Sequence, residues 1–228
     1  MPASASGAEV DIVNRRFCIQ INTLVLFAAL SAPVRPAAAD LPPTVRIVLQ
    51  VPVRSSVPLH LVIRAKDEMT RIYRNAGINV SWIDSASERD PVESPAAFQP
   101  AFGLVVLPEE VAERLTVAPD ALGGATGSRE GRGRMAYVFY DRVERTAEDY
   151  LNPSRQRPMD MDTVVVLAHA MAHEVGHLLL PYGHSETGLM RADWEAEDLR
   201  NAVAGELNFT PEQADLIRAK LMVEQDSE

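Results

Sequence analysis

The sequence predicts an α+β domain in which a twisted mixed sheet packs on a crossover helix and a buried helix, followed by a small C-terminal helical subdomain. Three observations predict this class. Short β-branched segments flank one amphipathic helical pattern in the first half, which favours parallel strands joined by a crossover. Residues 163–180 are apolar on nearly every side, as in a buried helix. A capped helical pattern follows near the C-terminus.

Residues 1–39 have the features of a secretory signal peptide. Arg15 and Arg16 precede an apolar run from Phe17 to Leu30, and three alanines then offer a small-residue cleavage site. The run is too short to span a bilayer comfortably. We therefore expect cleavage after residue 39, leaving residues 40–228 as a single domain that is secreted to the periplasm or outside the cell, without stable membrane association. An uncleaved anchor is the alternative.

Charge and cysteine content restrict the partners. The formal net charge of −10 predicts no nucleic-acid partner, because phosphate binding needs a basic surface. The single cysteine, Cys18, lies in the segment that we expect to be removed. Without a thiolate, any metal in residues 40–228 has to be bound by histidines and carboxylates.

The first half of the domain reads as strand, helix and two further strands. We predict strands at Val45–Val53, Asn79–Ile83 and Phe102–Leu107, with a loop over residues 84–100. Gly77 is placed to end the helix. The apolar positions of that helix recur every three or four residues, at Leu61, Ala65, Met69, Ile72, Tyr73 and Ala76.

The middle of the chain is less regular. Residues 121–127 are rich in glycine, and taken alone they indicate a turn before a hairpin. Alternating side chains predict a strand at Met135–Val143, and the polar residues 144–162 predict a loop. Asp160 and Asp162 could bind calcium, but we favour Asp162 as the N-cap of the following helix.

The C-terminal helix has a clear beginning. Thr210 is placed as its N-cap, Pro211 at its first position and Gln213 to complete a capping box. The helix should close the lower half of a cleft. Its expected buried stripe is formed by Leu216, Ile217, Leu221 and Met222.

The buried helix carries the residues that indicate chemistry. His173 and His177 lie four residues apart and therefore share one helix face, with Glu174 beside them. This is the H-E-x-x-H zinc motif, in which two imidazoles bind the metal and the glutamate is the general base of a metalloprotease. Polar groups in so apolar a helix are costly unless they are used.

A catalytic zinc usually has three protein ligands and an open position for water. His184 is one candidate, because a proline and a glycine end the helix and turn the chain back. Three acidic residues are further candidates, Glu186, Glu195 and Glu197, and the spacing of Glu197 is similar to that in thermolysin-like zinc peptidases. His169 lies too far along the helix axis, about 12 Å across the three histidines, to share one ion, so we interpret it as a packed neighbour.

The run from His173 to Met190 resembles the zinc site of metzincin peptidases and is most similar to short bacterial matrixin-like proteins. The family pattern is H-E-x-x-H-x-x-G-x-x-H followed by a methionine turn. The first five positions match, His184 fits the third ligand and Met190 fits the turn methionine. Leu180 replaces the family's glycine, and the third histidine comes one residue late.

This resemblance implies a zinc endopeptidase with a metzincin-like fold. One catalytic zinc would be bound by His173, His177 and His184, with Glu174 as the general base and a protein or peptide as substrate. It also implies that residues 122–127 form an edge strand that pairs with extended substrate. The alternatives are a non-catalytic zinc-binding module, against which the intact Glu174 argues, and a thermolysin-like site.

Overall fold

The computed structural model describes residues 41–52, 56–83, 101–112, 114, 117–126, 133–151 and 160–226. All of these residues fall within one unit of the chain, residues 40–228. The predicted signal peptide and the whole predicted 84–100 loop lie outside them. None of the helices in these ranges has the length and hydropathy needed to cross a bilayer.

A five-stranded, mostly parallel sheet forms one layer of a mixed α/β fold. Its strands are β1 (Thr44–Gln50), β2 (Asn79–Ile83), β3 (Phe102–Leu107), β4 (Gly123–Ala125) and β5 (Met135–Phe139). The spatial order is β2-β1-β3-β5-β4, with only β4 antiparallel to its neighbour. The predicted parallel strand pair is confirmed, although β1 ends three residues earlier than expected.

The crossover helix α1 (Leu59–Asn75) connects β1 to β2 and buries the predicted apolar stripe. Its end is a Schellman motif: Ile78 N donates to Tyr73 O at 3.0 Å and Gly77 N donates to Arg74 O at 2.9 Å. Gly77 has a φ of +71°, which favours glycine. The predicted role of this glycine at the helix end is confirmed.

The predicted strand Met135–Val143 and loop 144–162 are partly wrong. Strand β5 ends at Phe139, and a helix begins at the next residue. This helix is α3 (Tyr140–Leu151), and a single helical turn, α2 (Glu109–Ala112), lies earlier in the chain between β3 and β4. Helix α3 buries Tyr140, Val143 and Ala147, which recur at helical spacing. The strand-like alternation therefore stops where the helical period starts, and dense charge hides that period in the sequence.

The buried helix α4 (Asp160–Leu179) begins three residues before its predicted start. Asp162 therefore lies inside its first turn, where a carboxylate is favoured by the helix dipole, and is not its N-cap as we predicted. The helix packs between α1, α3 and the β4–β5 side of the sheet. It is buried along almost its whole length, as its composition predicted.

Two helices complete the described chain, α5 (Ala196–Ala204) and α6 (Pro211–Asp226). The predicted capping box of α6 is confirmed, because Gln213 N donates to Thr210 Oγ1 and Thr210 N donates to Gln213 Oε1. The predicted stripe is half wrong: Leu216 and Met222 are 39% and 41% exposed. The buried face is formed instead by Gln213, Ala214, Ile217 and Leu221.

Candidate metal centre

Three imidazoles converge where α4 meets the turn that follows it. His173 and His177 come from α4 and are buried, whereas His184 comes from the turn and is exposed. One nitrogen from each ring lies within 4.8 Å of the others, and the two Nε2 atoms of the helical pair are 3.0 Å apart. Within the described part of the chain, these histidines form the one group of three or more side chains that could hold a metal ion.

Backbone contacts return the chain to the helix after α4 ends. Ser185 N donates to Met190 O at 2.9 Å, and Ser185 forms an isolated bridge with Arg191. Gly188, with a φ of +76°, permits the tight turn between them. The turn thus places His184 beside the helical pair, where ring centroids lie 4.8 Å and 5.3 Å from its own.

The His173 ring is fixed from behind. Its Nδ1 donates to Leu189 O at 2.8 Å, so a neutral ring keeps the lone pair of Nε2 for a metal. The Trp194 indole donates to the same carbonyl at 3.2 Å and meets the His173 ring edge to face, with centroids 5.6 Å apart. Sequence reasoning missed both partners, since neither belongs to a ligand motif.

Burial keeps the helical imidazoles neutral. It lowers the pKa of His173 to about 3, helped by the neighbouring His177 and His184. Burial also lowers the pKa of His177 to about 4, with His184 adding to the shift. Neutral imidazole is the form that binds metals. Both rings are therefore prepared for ligation across the neutral pH range.

The donor set fits zinc. Tetrahedral zinc with Zn–N bonds of about 2.0–2.1 Å separates its nitrogen ligands by roughly 3.3 Å. The Nε2 atoms of His173 and His177 are 3.0 Å apart, and one nitrogen from each of the three rings lies within 4.8 Å of the others, so the observed spacings bracket that value. Three imidazoles with no thiolate are also a common set for a catalytic zinc that keeps one position open.

Glu174 lies against the sheet edge. Only 7% of it is exposed, and burial raises the pKa of its carboxyl to about 8. A Cβ placed on Gly123 would lie 2.7 Å from Glu174 Oε1 and 2.4 Å from the Tyr137 carbonyl oxygen. The glycine at this position of β4 therefore makes room for the carboxylate. Sequence reasoning noted the glycines but missed this contact.

A second glycine, Gly176, leaves the space that the side chain of Met190, the predicted turn methionine, occupies. A Cβ on Gly176 would lie 2.6 Å from Met190 Sδ and 3.1 Å from the Phe209 ring. Met190 is fully buried, and it packs against the helix between His173 and His177. The feature of the sequence that could have indicated this close packing is the glycine inside the H-E-x-x-H motif, where a helix has no other need of one.

The remaining candidates lie elsewhere. Glu197 is exposed on α5 and does not join the histidine group. His169 is fully buried, donates from Nδ1 to Val165 O at 2.7 Å and faces Trp194, which agrees with its interpretation as a packed neighbour. Asp160 and Asp162 are not part of a larger ligand group among the described residues, so calcium binding stays a prediction.

Comparison with known proteins gives little. No family model and no curated protein matches the chain. Among solved structures, the fold is similar to the crystal structure of archaemetzincin from Methanopyrus kandleri, with a TM-score of 0.42 and 16% identity over 78% of this chain and 96% of that chain. A likeness this distant does not define a family. The chain is thus described by its fold and site, as a mixed α/β protein with a three-histidine candidate metal centre.

Proposed function

We propose that this chain is a zinc-dependent endopeptidase of the metzincin type with a matrixin-like site. The observation that carries the proposal is the convergence of three imidazoles, two of them on the same helix as the buried carboxyl group of Glu174. A centre that only binds metal has no need of a buried acid beside its ligands, because burying that acid is costly.

His173, His177 and His184 would hold the metal. Zinc in such a site lowers the pKa of water to about 7 and polarises a carbonyl. Glu174 would accept the proton of the attacking water and pass it to the leaving amine. The positive metal favours the carboxylate form, opposing the effect of burial on the pKa of Glu174.

The edge of the sheet supports an extended peptide as substrate. Strand β4 is the last in the sheet order and pairs with β5 on one side. Its residues are small, and Gly123 lies directly against the Glu174 side chain. On the side of β4 away from β5, no other strand pairs among the described residues. A peptide that added to that side by main-chain hydrogen bonds would lie next to the Glu174 carboxyl group.

We also propose that residues 1–39 direct secretion and are removed, as their pattern predicts. Expression in a bacterial host with a secretion pathway, followed by N-terminal sequencing, tests this directly. A processed chain beginning at Asp40 is expected. An intact N-terminus on membrane-bound protein would instead favour an uncleaved anchor.

The experiment that tests the activity compares wild-type protein with Glu174→Gln, which keeps the side-chain shape but removes the proton acceptor. We expect one bound zinc per chain in both. Casein cleavage should fall by about 100- to 10,000-fold in the variant, the usual contribution of a general base.

The other outcomes are equally informative. Zinc in both proteins with cleavage of neither casein nor gelatin would favour the non-catalytic zinc-binding module. Equal cleavage by both would exclude Glu174 as the base. Absence of zinc from the wild type after loading would overturn the metal centre itself.

A further inference from the structure

We infer that Gln213 positions His184 by way of Ser185, so that the C-terminal helix α6 helps to build the metal centre. The inference rests on the proposed zinc site. It concerns a positioning residue, because Gln213 belongs to the cap of α6 and is outside the three-histidine group.

His184 needs such help more than the other two histidines. It is the exposed member of the group, and within the described ranges its ring makes no hydrogen bond that would orient it. His173, in contrast, is held by Leu189 O at 2.8 Å. The position of His184 therefore depends on the backbone that carries it, and on the adjacent Ser185 above all.

Ser185 is fixed from three directions. Its backbone N–H donates to Met190 O at 2.9 Å, and its hydroxyl donates to Thr187 O at 2.8 Å. The same hydroxyl accepts a hydrogen bond from Gln213 Nε2 at 2.9 Å. The first two contacts lie within the turn. Of these three contacts of Ser185, only the third reaches outside the turn, and it does so at the residue next to His184. The far end of the turn is held separately, because Leu189 N donates to Asn208 O at 2.9 Å.

Gln213 uses both ends of its amide. Its Oε1 accepts from Thr210 N at 3.0 Å, which completes the capping box of α6. Glutamate or glutamine serves a cap equally well, because the cap needs only an acceptor. The donor end, which contacts Ser185, has no part in the cap. Gln213 is also only 1% exposed, so a donor left without a partner there would be costly.

Helix α6 provides a firm base for this contact. Ile217 and Leu221 are buried in the main core, and Lys220 Nζ donates to Leu178 O, in the last turn of α4, at 2.8 Å. The helix is therefore fixed to the element that supplies His173 and His177. The hydrogen bond from Gln213 to Ser185 then connects α6 to the turn that supplies His184.

The test uses two matched variants of the secreted chain. Ser185→Ala removes the hydroxyl that accepts from Gln213, together with its donation to Thr187 O, and leaves the α6 cap intact. Thr210→Val removes the hydroxyl that accepts from Gln213 N at 3.3 Å and leaves the contact with Ser185 intact. Zinc affinity is measured by chelator competition, the thermal midpoint is measured on metal-free protein, and visible absorption is measured after loading with Co²⁺.

We expect Ser185→Ala to weaken zinc binding by about 10- to 100-fold, the usual loss for a residue that orients a ligand, and to change the Co²⁺ spectrum. Thr210→Val should lower the thermal midpoint but keep zinc affinity within about twofold and the wild-type spectrum. Gln213→Ala, which leaves the Ser185–Thr187 contact in place, should weaken zinc binding by a similar factor. Adding it to Ser185→Ala should not weaken binding further, because the contact between Gln213 and Ser185 is then already absent.

The inference is overturned if Ser185→Ala binds zinc as the wild type does, or if Thr210→Val weakens binding equally. Wild-type zinc binding without peptide cleavage would reject the peptidase proposal and leave this inference standing. A wild type that binds no zinc would reject both.

Discussion

At the scale of single residues, the space left by a missing side chain matters as much as the ligands. Gly123 and Gly176 lie where a methyl group would overlap Glu174 and Met190, respectively. The spacing of His173 and His177 is visible in the sequence because it is a helical period. The contacts of the two glycines and of the Leu189 carbonyl group cannot be read from the sequence. They join segments that only the tertiary fold brings together.

Gly123→Ala tests this requirement, with Gly124→Ala as its matched control. The added Cβ at position 123 would meet the Tyr137 carbonyl oxygen at 2.4 Å, which cannot move without disturbing the sheet. At position 124 it would lie 3.4 Å from Val117, an ordinary contact. We expect Gly123→Ala to lower the free energy of unfolding by about 1–3 kcal/mol and peptide cleavage at least about tenfold.

Urea denaturation and casein cleavage measure the two effects. Gly124→Ala should stay within about 0.5 kcal/mol of wild type. Equal behaviour of the two variants would show that β4 tolerates a side chain against Glu174.

At the scale of elements, predictability followed the strength of local signals. The end of α1 and the cap of α6 were predicted because a glycine and a Thr-Pro-x-Gln start act through neighbouring backbone groups. Helix α3 was missed because its apolar positions are few and its start continues the alternation of β5. Leu216 and Met222 were misplaced because helix burial depends on which face the rest of the fold covers.

The choice of third ligand is also a question about elements, since His184 belongs to the turn after α4 and Glu197 to α5. His184→Ala should weaken zinc binding by more than about 100-fold, because it removes one of the three proposed ligands. Glu197→Gln, at an exposed site outside the histidine group, should bind zinc as the wild type does. Chelator competition distinguishes them, and the reverse pattern would support the thermolysin-like arrangement.

At the scale of the whole molecule, the metal should stabilise the fold. All three candidate ligands are placed only in the folded chain, so the proposed zinc would bind the native state in preference to the unfolded one. Free zinc at 100 times its Kd adds about 2.7 kcal/mol. For a domain of this size that corresponds to about 5–10 °C in thermal midpoint.

Calorimetry before and after chelation measures this shift. Returning zinc should restore the midpoint, and Glu174→Gln, which keeps all three histidines, should show the same shift as wild type. An unchanged midpoint in the wild type would contradict the metal centre.

The contact between Ser185 and Gln213 has a consequence for biosynthesis. The two residues lie 28 positions apart, and the helix that carries Gln213 is made after the segment that carries all three imidazoles. A growing chain thus presents its histidines before the element that aligns the last of them has emerged. Full-strength metal capture would be deferred until α6 has been synthesised and has folded, and the proposed peptidase would stay inactive until then.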